Sequence, residues 1–254
     1  MTEPLSTDEQ TRYHRQLLLP QIGTAGQEKL RRAKALIVGA GGLGSPAALY
    51  LAAAGVGTIG LVDSDTVDLS NLQRQILHTT AAINRRKTAS ALERLSELNP
   101  EITVRPIDVR FGENNAEDIL SEYDIALGCV DNFIARYALN AACKKQGKAN
   151  IYGSAARFEG QAGVFCLPGA PCYQCFFRDP PPADWKPGKD DMAVFGAMPG
   201  IIGCIQATEA VKHILSIGIG LSGRLLLMDG LSMKFREIAI RPDAECPVCN
   251  RKNT

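Results

Sequence analysis

The stretch Lys34–Gly55, KALIVGAGGLGSPAALYLAAAG, decides the fold of this chain. It begins with an apolar run that predicts a buried strand, and the small residues that follow predict a helix closed by a glycine. Between the two, Gly39, Gly41 and Gly44 have the spacing G-x-G-x-x-G, and Gly42 lies among them. Such a turn lets the backbone approach a phosphate at the start of a helix. The unit predicts phosphate binding, although any tight strand–helix turn can contain glycines.

Strands and helices keep alternating around this unit up to Gly153. A second strand, Thr58–Asp63, is followed by strand-like runs at ITVRPID, DIALGCV and ANIYGS, with helical patterns between them. This alternation predicts an α/β fold with a doubly wound, Rossmann-like parallel sheet. After Gly153, the runs RFEGQAGVFCLPG, GRLLLMDG and KFREIAI have the pattern of antiparallel strands.

We therefore predict one domain over residues 1–254, built from three parts. Residues 1–33 form N-terminal helices, with one ending at Pro20 and another beginning after Gly26. Residues 34–153 form a nucleotide-binding half, and residues 154–254 form a second half. The latter contains a stretch at about 176–199, rich in Pro, Gly and Asp, whose length predicts a functional loop.

Composition excludes several classes of function. The 254 residues carry a net charge of +1, so nothing argues for nucleic acid or an anionic membrane surface as a partner. No apolar run reaches the roughly 18 residues that a membrane-spanning helix needs. The N-terminal residues have no hydrophobic signal core, so we expect a cytoplasmic protein.

A polar cluster follows the second strand in the segment LVDSDTVDLSNLQRQ. An acid at the strand end, about twenty residues after the glycine turn, is placed to bind ribose hydroxyls. Lysine and arginine can neutralise a triphosphate, and an Asp after a strand can hold Mg²⁺. The set suits ATP better than a nicotinamide cofactor, and we assign it to the nucleotide site: Asp63, Asp65, Asn71, Arg74, Gln75, Lys87, Asp131 and Asn132.

Eight cysteines form two groups. Two C-x-x-C pairs lie about seventy residues apart and offer four thiolates for a closed, structural Zn²⁺ site; they are Cys172, Cys175, Cys246 and Cys249. A redox dithiol is the competing interpretation, which two pairs fit less well. The others are expected to be small core residues: Cys129, Cys143, Cys166 and Cys204.

The chain resembles the ThiF/MoeB/HesA family, relatives of the ubiquitin-activating enzymes. The resemblance rests on GAGGLGSPAALYLAAAGVG, LSNLQRQILHTT, VDNFIARYALNAAC, GSAARFEGQ, PCYQC and CPVC, which follow in order over nearly the whole chain. It implies ATP-dependent adenylylation of the C-terminal glycine of a ubiquitin-like sulfur carrier ending in Gly-Gly, of the ThiS or MoaD type. Pyrophosphate is released and the carrier is prepared for thiocarboxylate formation.

The resemblance also implies roles for individual residues. Asp63 would hold the ribose; Asn71, Arg74 and Lys87 would bind the phosphates; and Asp131 would hold Mg²⁺. Arg15 would reach the site of a neighbouring subunit, which implies a homodimer. The resemblance supports zinc at the four cysteines, and it implies that residues 154–254 are the carrier-binding half. Its groove would include Phe158, Phe165 and Met228, by analogy of fold.

Two departures from the family limit this interpretation. Many relatives carry a cysteine in the crossover loop, whereas here Lys189 lies near that place, so we expect a separate sulfur donor. The segment before Lys87 has Asn84 and Arg86 where relatives often have Gly and Pro. The added positive charge of Arg85 and Arg86 either assists phosphate or carrier binding or is solvated. The pathway stays open among thiamin, molybdenum cofactor, tRNA thiolation and secondary metabolism.

Two other functions remain open at this stage. An NAD-dependent oxidoreductase would share the glycine turn and Asp63, but no proton-transfer partner is evident. The other alternative is a non-catalytic carrier-binding scaffold, which would not need the polar residues assigned to the nucleotide site. The three histidines, at positions 14, 78 and 213, are scattered, and we assign none a catalytic role.

Overall fold

The structure, a computed structural model, describes residues 4–182 and 193–250. Its helices are α1 Thr7–Arg12, α2 His14–Leu17, α3 Gly23–Arg32, α4 Gly44–Ala53, α5 Lys87–Leu98, α6 Ala116–Ser121, α7 Phe133–Gln146 and α8 Ala197–Leu215. Its strands are β1 Lys34–Val38, β2 Thr58–Val62, β3 Thr103–Ile107, β4 Ile125–Gly128, β5 Ala149–Ala156, β6 Glu159–Phe165, β7 Arg224–Asp229 and β8 Lys234–Ala239.

These strands form one mixed sheet in the order β3-β2-β1-β4-β5-β6-β7-β8. The pairs from β3 to β5 are parallel, and the pairs from β5 to β8 are antiparallel. The predicted mixed sheet is therefore confirmed. The predicted change at Gly153 falls inside β5, where Gly153 pairs with Ala162 of β6, so β5 belongs to both halves.

Apolar strands in the centre of the sheet bury both faces. Successive side chains of a strand point to opposite sides, so Leu36 and Ile37 of β1 enter two different cores. One core lies under α3, α4, α5 and α8, and the other lies under α6, α7 and the paired cysteines. Two covered faces explain why these strands read as continuous apolar runs.

The N-terminal helices differ from the prediction at their boundaries. The first helical stretch does not run unbroken to Pro20, because the backbone leaves helical geometry at Tyr13. Tyr13 is buried, and its phenol oxygen accepts a hydrogen bond from Asn99 Nδ2 at 2.8 Å. The next helix begins at Gly23, three residues before Gly26. Anchoring of a single aromatic side chain is a tertiary effect that local propensity does not reveal.

Helix α8 begins inside the stretch that the sequence predicts to be a loop, and it packs against the glycine turn. It starts at Ala197, inside the predicted 176–199 loop, because a proline such as Pro199 is tolerated in a first helical turn. A Cβ added at Gly203 would lie 2.3 Å from the Leu43 carbonyl oxygen. The absence of a side chain at Gly203 thus lets α8 approach the start of α4. Among the described residues, no helix is long and apolar enough to cross a membrane.

Gln206 of α8 joins two neighbouring central strands, β4 and β5. Its side chain is fully buried, and its Nε2 donates to the carbonyl oxygens of Gly128 at 3.0 Å and Ile151 at 2.9 Å. A Cβ at Gly153 would come within 2.4 Å of this amide. The role of Gln206 could not be predicted from the sequence pattern, since glutamine in a helix is usually exposed.

Replacing Gln206 by leucine should lower the free energy of unfolding by about 2–4 kcal/mol, because two buried carbonyl oxygens lose their donor. Chemical denaturation followed by circular dichroism measures this change. The matched control is Thr208→Ala on the same helix, where an exposed hydroxyl donates to the Cys204 carbonyl oxygen. This variant should lower the free energy of unfolding by about 0.5 kcal/mol or less. Equal stability of the two variants would show that the amide contributes nothing.

Candidate functional site

An open cleft of about 1780 Å³ lies at the carboxyl ends of β1, β2 and β4. Ligands of open α/β sheets bind at this edge. The predicted nucleotide residues that line it are Gly39, Gly41, Gly42, Asp63, Asp65, Arg74, Gln75, Lys87, Asp131 and Asn132. Gly44, Asn71 and Arg15 do not line the cleft of this chain. The sequence pattern thus brought together residues separated by more than ninety positions.

The glycine turn has no room for side chains at its two ends. Gly39 has φ +102°, and a Cβ there would lie 2.6 Å from the Cys129 carbonyl oxygen. A Cβ at Gly44 would lie 1.9 Å from the Gly39 carbonyl oxygen. Helix α4 begins at Gly44, but the Ser45 N–H already donates to the Gly41 carbonyl at 2.9 Å and Pro46 has no N–H. The donors that remain are the N–H groups of residues 41–44, which bond to no backbone carbonyl among the described residues. The turn therefore offers backbone donors to an anion in the cleft.

Asp63 fixes the turn from the neighbouring strand. Its Oδ2 accepts from the Ala40 N–H at 2.8 Å, and its Oδ1 accepts from the Asp65 N–H at 2.8 Å. Each carboxylate oxygen has a second lone pair, so Asp63 can still accept from ribose hydroxyls. The two backbone bonds hold the carboxylate in one orientation before any ligand arrives.

Lys87 places a positive charge in the wall of the cleft. Its side chain is 6% exposed, and its Nζ pairs at 3.0 Å with Asp65, whose side chain is 69% exposed. An ammonium group has three donors, so two remain for phosphate oxygens. The ion pair holds the ammonium group of this buried lysine at the wall of the cleft.

The turn after β2 positions Arg74 and Gln75. The Asn71 carbonyl accepts the N–H groups of both residues, at 3.1 and 3.0 Å. Arg74 is half-buried, and its Nη1 donates to the Ser70 carbonyl at 3.2 Å, which leaves most of its donors for a ligand. Asn71 therefore shapes this turn through its backbone, and its side chain lies outside the cleft lining.

Two residues that follow β4, Asp131 and Asn132, have different positions at the cleft. Asp131 is exposed at the edge of the cleft. Asn132 is the N-cap of α7, where its Oδ1 accepts from the Ala135 N–H at 2.9 Å. The cap engages the amide oxygen of Asn132, whereas Asp131 keeps both carboxylate oxygens for a ligand.

The four paired cysteines come together beside Asn140 of α7. Their Sγ atoms all lie within 4.8 Å of one another. Neighbouring Sγ atoms are 3.5 Å apart for Cys172 and Cys246, 3.6 Å for Cys175 and Cys249, and 3.9 Å for Cys172 and Cys175. A tetrahedron with Zn–S bonds of about 2.3 Å has edges of about 3.8 Å, so the thiol set fits zinc.

Asn140 of α7 supports this cluster from within the core. Its side chain is fully buried, and its Oδ1 accepts from the Tyr173 N–H at 2.7 Å. Its Nδ2 has no hydrogen-bond partner among the described residues. Burial raises the pKa of the Cys172 thiol, and the Asn140 side chain opposes that rise. Amide donors beside metal-bound sulfur are a common outer-shell feature of such centres.

Comparison with known proteins decides the family. The sequence model of the ThiF family matches residues 13–248. This chain belongs to the ThiF family. The resemblance inferred from the sequence motifs is thereby confirmed.

Individual ThiF-family relatives cover the chain to different extents. A sulfur carrier protein adenylyltransferase of Thermus thermophilus is 44% identical over 97% of this chain and 93% of its own length. MOCS3 of Aedes aegypti, an adenylyltransferase and sulfurtransferase, is 45% identical over 97% of this chain and 56% of its own length. The chain thus spans little more than half of this longer relative.

The fold recurs in a solved structure. Escherichia coli MccB with MccA-N7isoASN superimposes with a TM-score of 0.81, covering 96% of this chain and 75% of that chain. Sequence identity is 23%, so this likeness concerns the fold alone.

His78 contacts the glycine turn from the protein interior, a role that the sequence did not indicate. It is buried, its Nδ1 lies 3.0 Å from Ser90 Oγ, and its Nε2 lies 3.0 Å from the Ala40 carbonyl oxygen. A carbonyl only accepts, so Nε2 carries the proton and His78 links the glycine turn to α5. Burial lowers the pKa of His78, and the nearby charge of Lys87 lowers it further. The hydrogen bond to the Ala40 carbonyl and the charge of Asp63 act in the opposite direction.

The stability of the protein should therefore depend on the protonation of His78. The folded state holds it neutral, so its contribution is complete above the unfolded pKa of about 6.5 and is lost as pH falls below that value toward the folded pKa. The slope is at most about 1.4 kcal/mol per pH unit.

Urea denaturation of wild type and His78→Gln between pH 7.5 and 5 measures the effect. Half-buried His213 also has a pKa lowered by burial, so the difference between the two proteins isolates His78. We expect the loss of stability below about pH 6.5 to be smaller in the variant. Parallel curves for the two proteins would contradict the assignment.

The predicted carrier groove is wrong in two of its three residues. Phe165 is 1% exposed inside the second core, where its ring packs edge-on against Tyr152 and Tyr173. Met228 is also buried. Phe158 is 41% exposed and stacks on Phe195 with ring centroids 5.4 Å apart. Strand alternation alone does not reveal which face another layer covers.

Other expectations are refined by the structure. Burial raises the pKa of the Cys129 and Cys143 thiols to about 12, as expected of inert core residues, whereas Cys204 is half-exposed. Arg85 pairs with Glu93 at 2.7 Å and Arg86 pairs with Asp108, and neither lines the cleft. The expectation about Lys189 lies outside the described residues.

Proposed function

We propose that this chain is an ATP-dependent adenylyltransferase that acts on the C-terminal glycine of a ubiquitin-like sulfur carrier. The observation that carries the proposal is the single cleft in which the glycine turn meets Asp63, Arg74, Lys87 and Asp131. The 44% identity to a sulfur carrier protein adenylyltransferase over nearly the full length of both chains supports the same activity. Residues 1–254 form one domain of this type, with carrier binding in residues 154–254.

The reaction needs no side-chain base. A carboxylate oxygen of the terminal glycine attacks the α-phosphorus of ATP, a new P–O bond forms, and the bond to the bridging oxygen breaks. The electron pair leaves with pyrophosphate, and the product is the carrier acyl-adenylate. Because a carboxylate is already a nucleophile at neutral pH, positioning and charge stabilisation provide the catalysis.

The residues of the cleft divide the binding of ATP. The N–H groups of the glycine turn and the Lys87 ammonium bind phosphate oxygens, and Asp63 accepts the ribose hydroxyls. Arg74 offsets the charge that develops at the α-phosphate. Asp131 offers a rim carboxylate for Mg²⁺, an ion that commonly combines one or two carboxylates with substrate phosphates and waters. Bound there, Mg²⁺ would supply charge neutralisation at the phosphates.

We further propose that the four cysteines hold structural Zn²⁺. The sulfur separations support tetrahedral coordination, and four protein ligands leave no open position for a substrate. Zinc would join the segment around Cys172 to the C-terminal segment around Cys246. The thiols must stay reduced for this role, which suits the cytoplasm.

The proposal includes a homodimer and a separate sulfur donor. Arg15 is exposed on α2 and does not line the cleft of its own chain, which supports a role in the cleft of a second copy. Residues 176–199 contain no cysteine, which supports a sulfur source other than a thiol of that stretch. Thiamin and molybdenum cofactor synthesis are the pathways to test first.

Mass spectrometry of the carrier tests the proposed function. The protein is incubated with ATP, Mg²⁺, pyrophosphatase and a carrier ending in Gly-Gly, with the same carrier lacking its last glycine as control. The intact carrier should gain the mass of one AMP, and the truncated carrier should not. Equal labelling of both carriers, or labelling of neither by any candidate carrier, would overturn the proposal.

A further inference from the structure

The guanidinium group of Arg136 lies in the cleft and has no part in the nucleotide binding proposed above. It lies on the first turn of α7, 5.5 Å from the centre of the Phe133 ring and 5.7 Å from that of Tyr152. Its Nε donates to the Val130 carbonyl at 3.2 Å, and its Nη2 donates to Ser154 Oγ at 3.2 Å. Two rings and two hydrogen bonds hold the side chain in one position before any ligand binds.

The positive charge of Arg136 has no carboxylate partner in residues 4–182 and 193–250. The residue is half-buried and lines the cleft. Partly buried charges are usually paired, because desolvation without a counter-charge is unfavourable. A guanidinium has five N–H donors, of which the protein engages two, so enough remain for bidentate binding of an anion.

The position of Arg136 decides between the two anions that the cleft would receive. The phosphate-binding residues lie at the glycine turn and after β2, whereas Arg136 contacts Ser154 of β5. Strand β5 is where the sheet becomes antiparallel, and the turn from β5 to β6 contains the exposed Phe158, which stacks on Phe195. Carrier binding in residues 154–254, as proposed above, would bring the terminal carboxylate into the cleft from the side of Arg136 and Ser154.

We propose that Arg136 binds the terminal carboxylate of the carrier and orients it for attack on ATP. Arginine suits this group because its planar fork matches the two carboxylate oxygens. After adenylylation the same donors bond to the carbonyl oxygen of the acyl-adenylate. The inference rests on the proposed function and adds a residue that selects the chemical end of the carrier tail.

Kinetics of ATP–pyrophosphate exchange test Arg136→Gln and Arg136→Lys. The glutamine variant should raise the carrier KM about 10- to 100-fold, because charge-assisted hydrogen bonds are lost, and leave the ATP KM within about twofold. The lysine variant keeps a positive charge between the two rings but lacks the planar fork of a guanidinium. Its carrier KM should lie between those of wild type and the glutamine variant. A rise in the ATP KM with an unchanged carrier KM would assign Arg136 to the triphosphate and overturn the inference.

Direct binding of two carriers separates this inference from the proposed function. One probe is a carrier ending in Gly-Gly carboxylate, and the other is the same carrier with a C-terminal carboxamide. Calorimetry should show that wild type prefers the carboxylate and that Arg136→Gln does not distinguish the two. An equal preference in both proteins overturns the role of Arg136. Absence of exchange with every carrier overturns the proposed function, while the binding comparison still decides Arg136.

Discussion

Replacing Arg74 by alanine should lower the rate of carrier adenylylation about 10²- to 10³-fold, the usual cost of removing one preorganised donor from a developing charge. Arg74 lies in the cleft with its guanidinium bonded only to the Ser70 carbonyl among the described residues, so its other donors face the ligand. The folded state depends little on it, because it makes no buried ion pair in this part of the chain. The measurement is AMP transfer to the carrier under single-turnover conditions.

The matched control is Arg85→Ala. Arg85 lies eleven residues further along the same polar segment, pairs with Glu93 and does not line the cleft. Its loss should change the rate by no more than about twofold, since exposed ion pairs contribute little. Equal activity of Arg74→Ala and Arg85→Ala would remove Arg74 from the account. A reduced rate in both would indicate a general effect of positive charge on carrier encounter.

Replacing Cys172 by serine should remove zinc and lower the free energy of unfolding by about 5 kcal/mol or more, because structural zinc binds with about 10–16 kcal/mol at pH 7. For a domain of this size, such a change lowers Tm by about 10–20 °C. Cys172 is fully buried and lies beside the fully buried Cys246, so the vacated ligand position leaves three thiols without a closed shell. Calorimetry and zinc content per chain measure both effects.

Cys204→Ser is the control for the zinc prediction. Cys204 is half-exposed on α8 and belongs to no thiol cluster among the described residues. The control should keep one zinc per chain and lose about 0.5 kcal/mol or less. If Cys172→Ser also retained one zinc per chain and the wild-type Tm, the four cysteines would not be a metal centre.

The local parts of the fold and site could be predicted from the sequence. The glycine spacing in Lys34–Gly55 identified the turn because sterics at Gly39 and Gly44 exclude any side chain. The apolar runs identified β1, β2 and β4 because both faces of the central sheet are covered. Acids and cations at strand ends met in one cleft because parallel strands end at the same edge.

Features that depend on tertiary contacts could not be predicted. Phe165 was assigned to a surface groove because alternation does not say which sheet face receives an aromatic layer. Gln206 and His78 look like ordinary polar residues until their buried carbonyl partners are known. Arg136 stands in the motif VDNFIAR, yet its importance follows from two rings and from the absence of a carboxylate partner in the part of the chain that the structure describes.

ATP–pyrophosphate exchange tests the central claim most directly. The protein is mixed with Mg²⁺, ATP and labelled pyrophosphate, with candidate carriers that end in Gly-Gly and with the same carriers shortened by one glycine. The account predicts label in ATP only when the intact glycine tail is present, because exchange requires a reversible acyl-adenylate. Exchange that ignores the glycine tail, or none with any carrier on a folded and zinc-loaded protein, would contradict it.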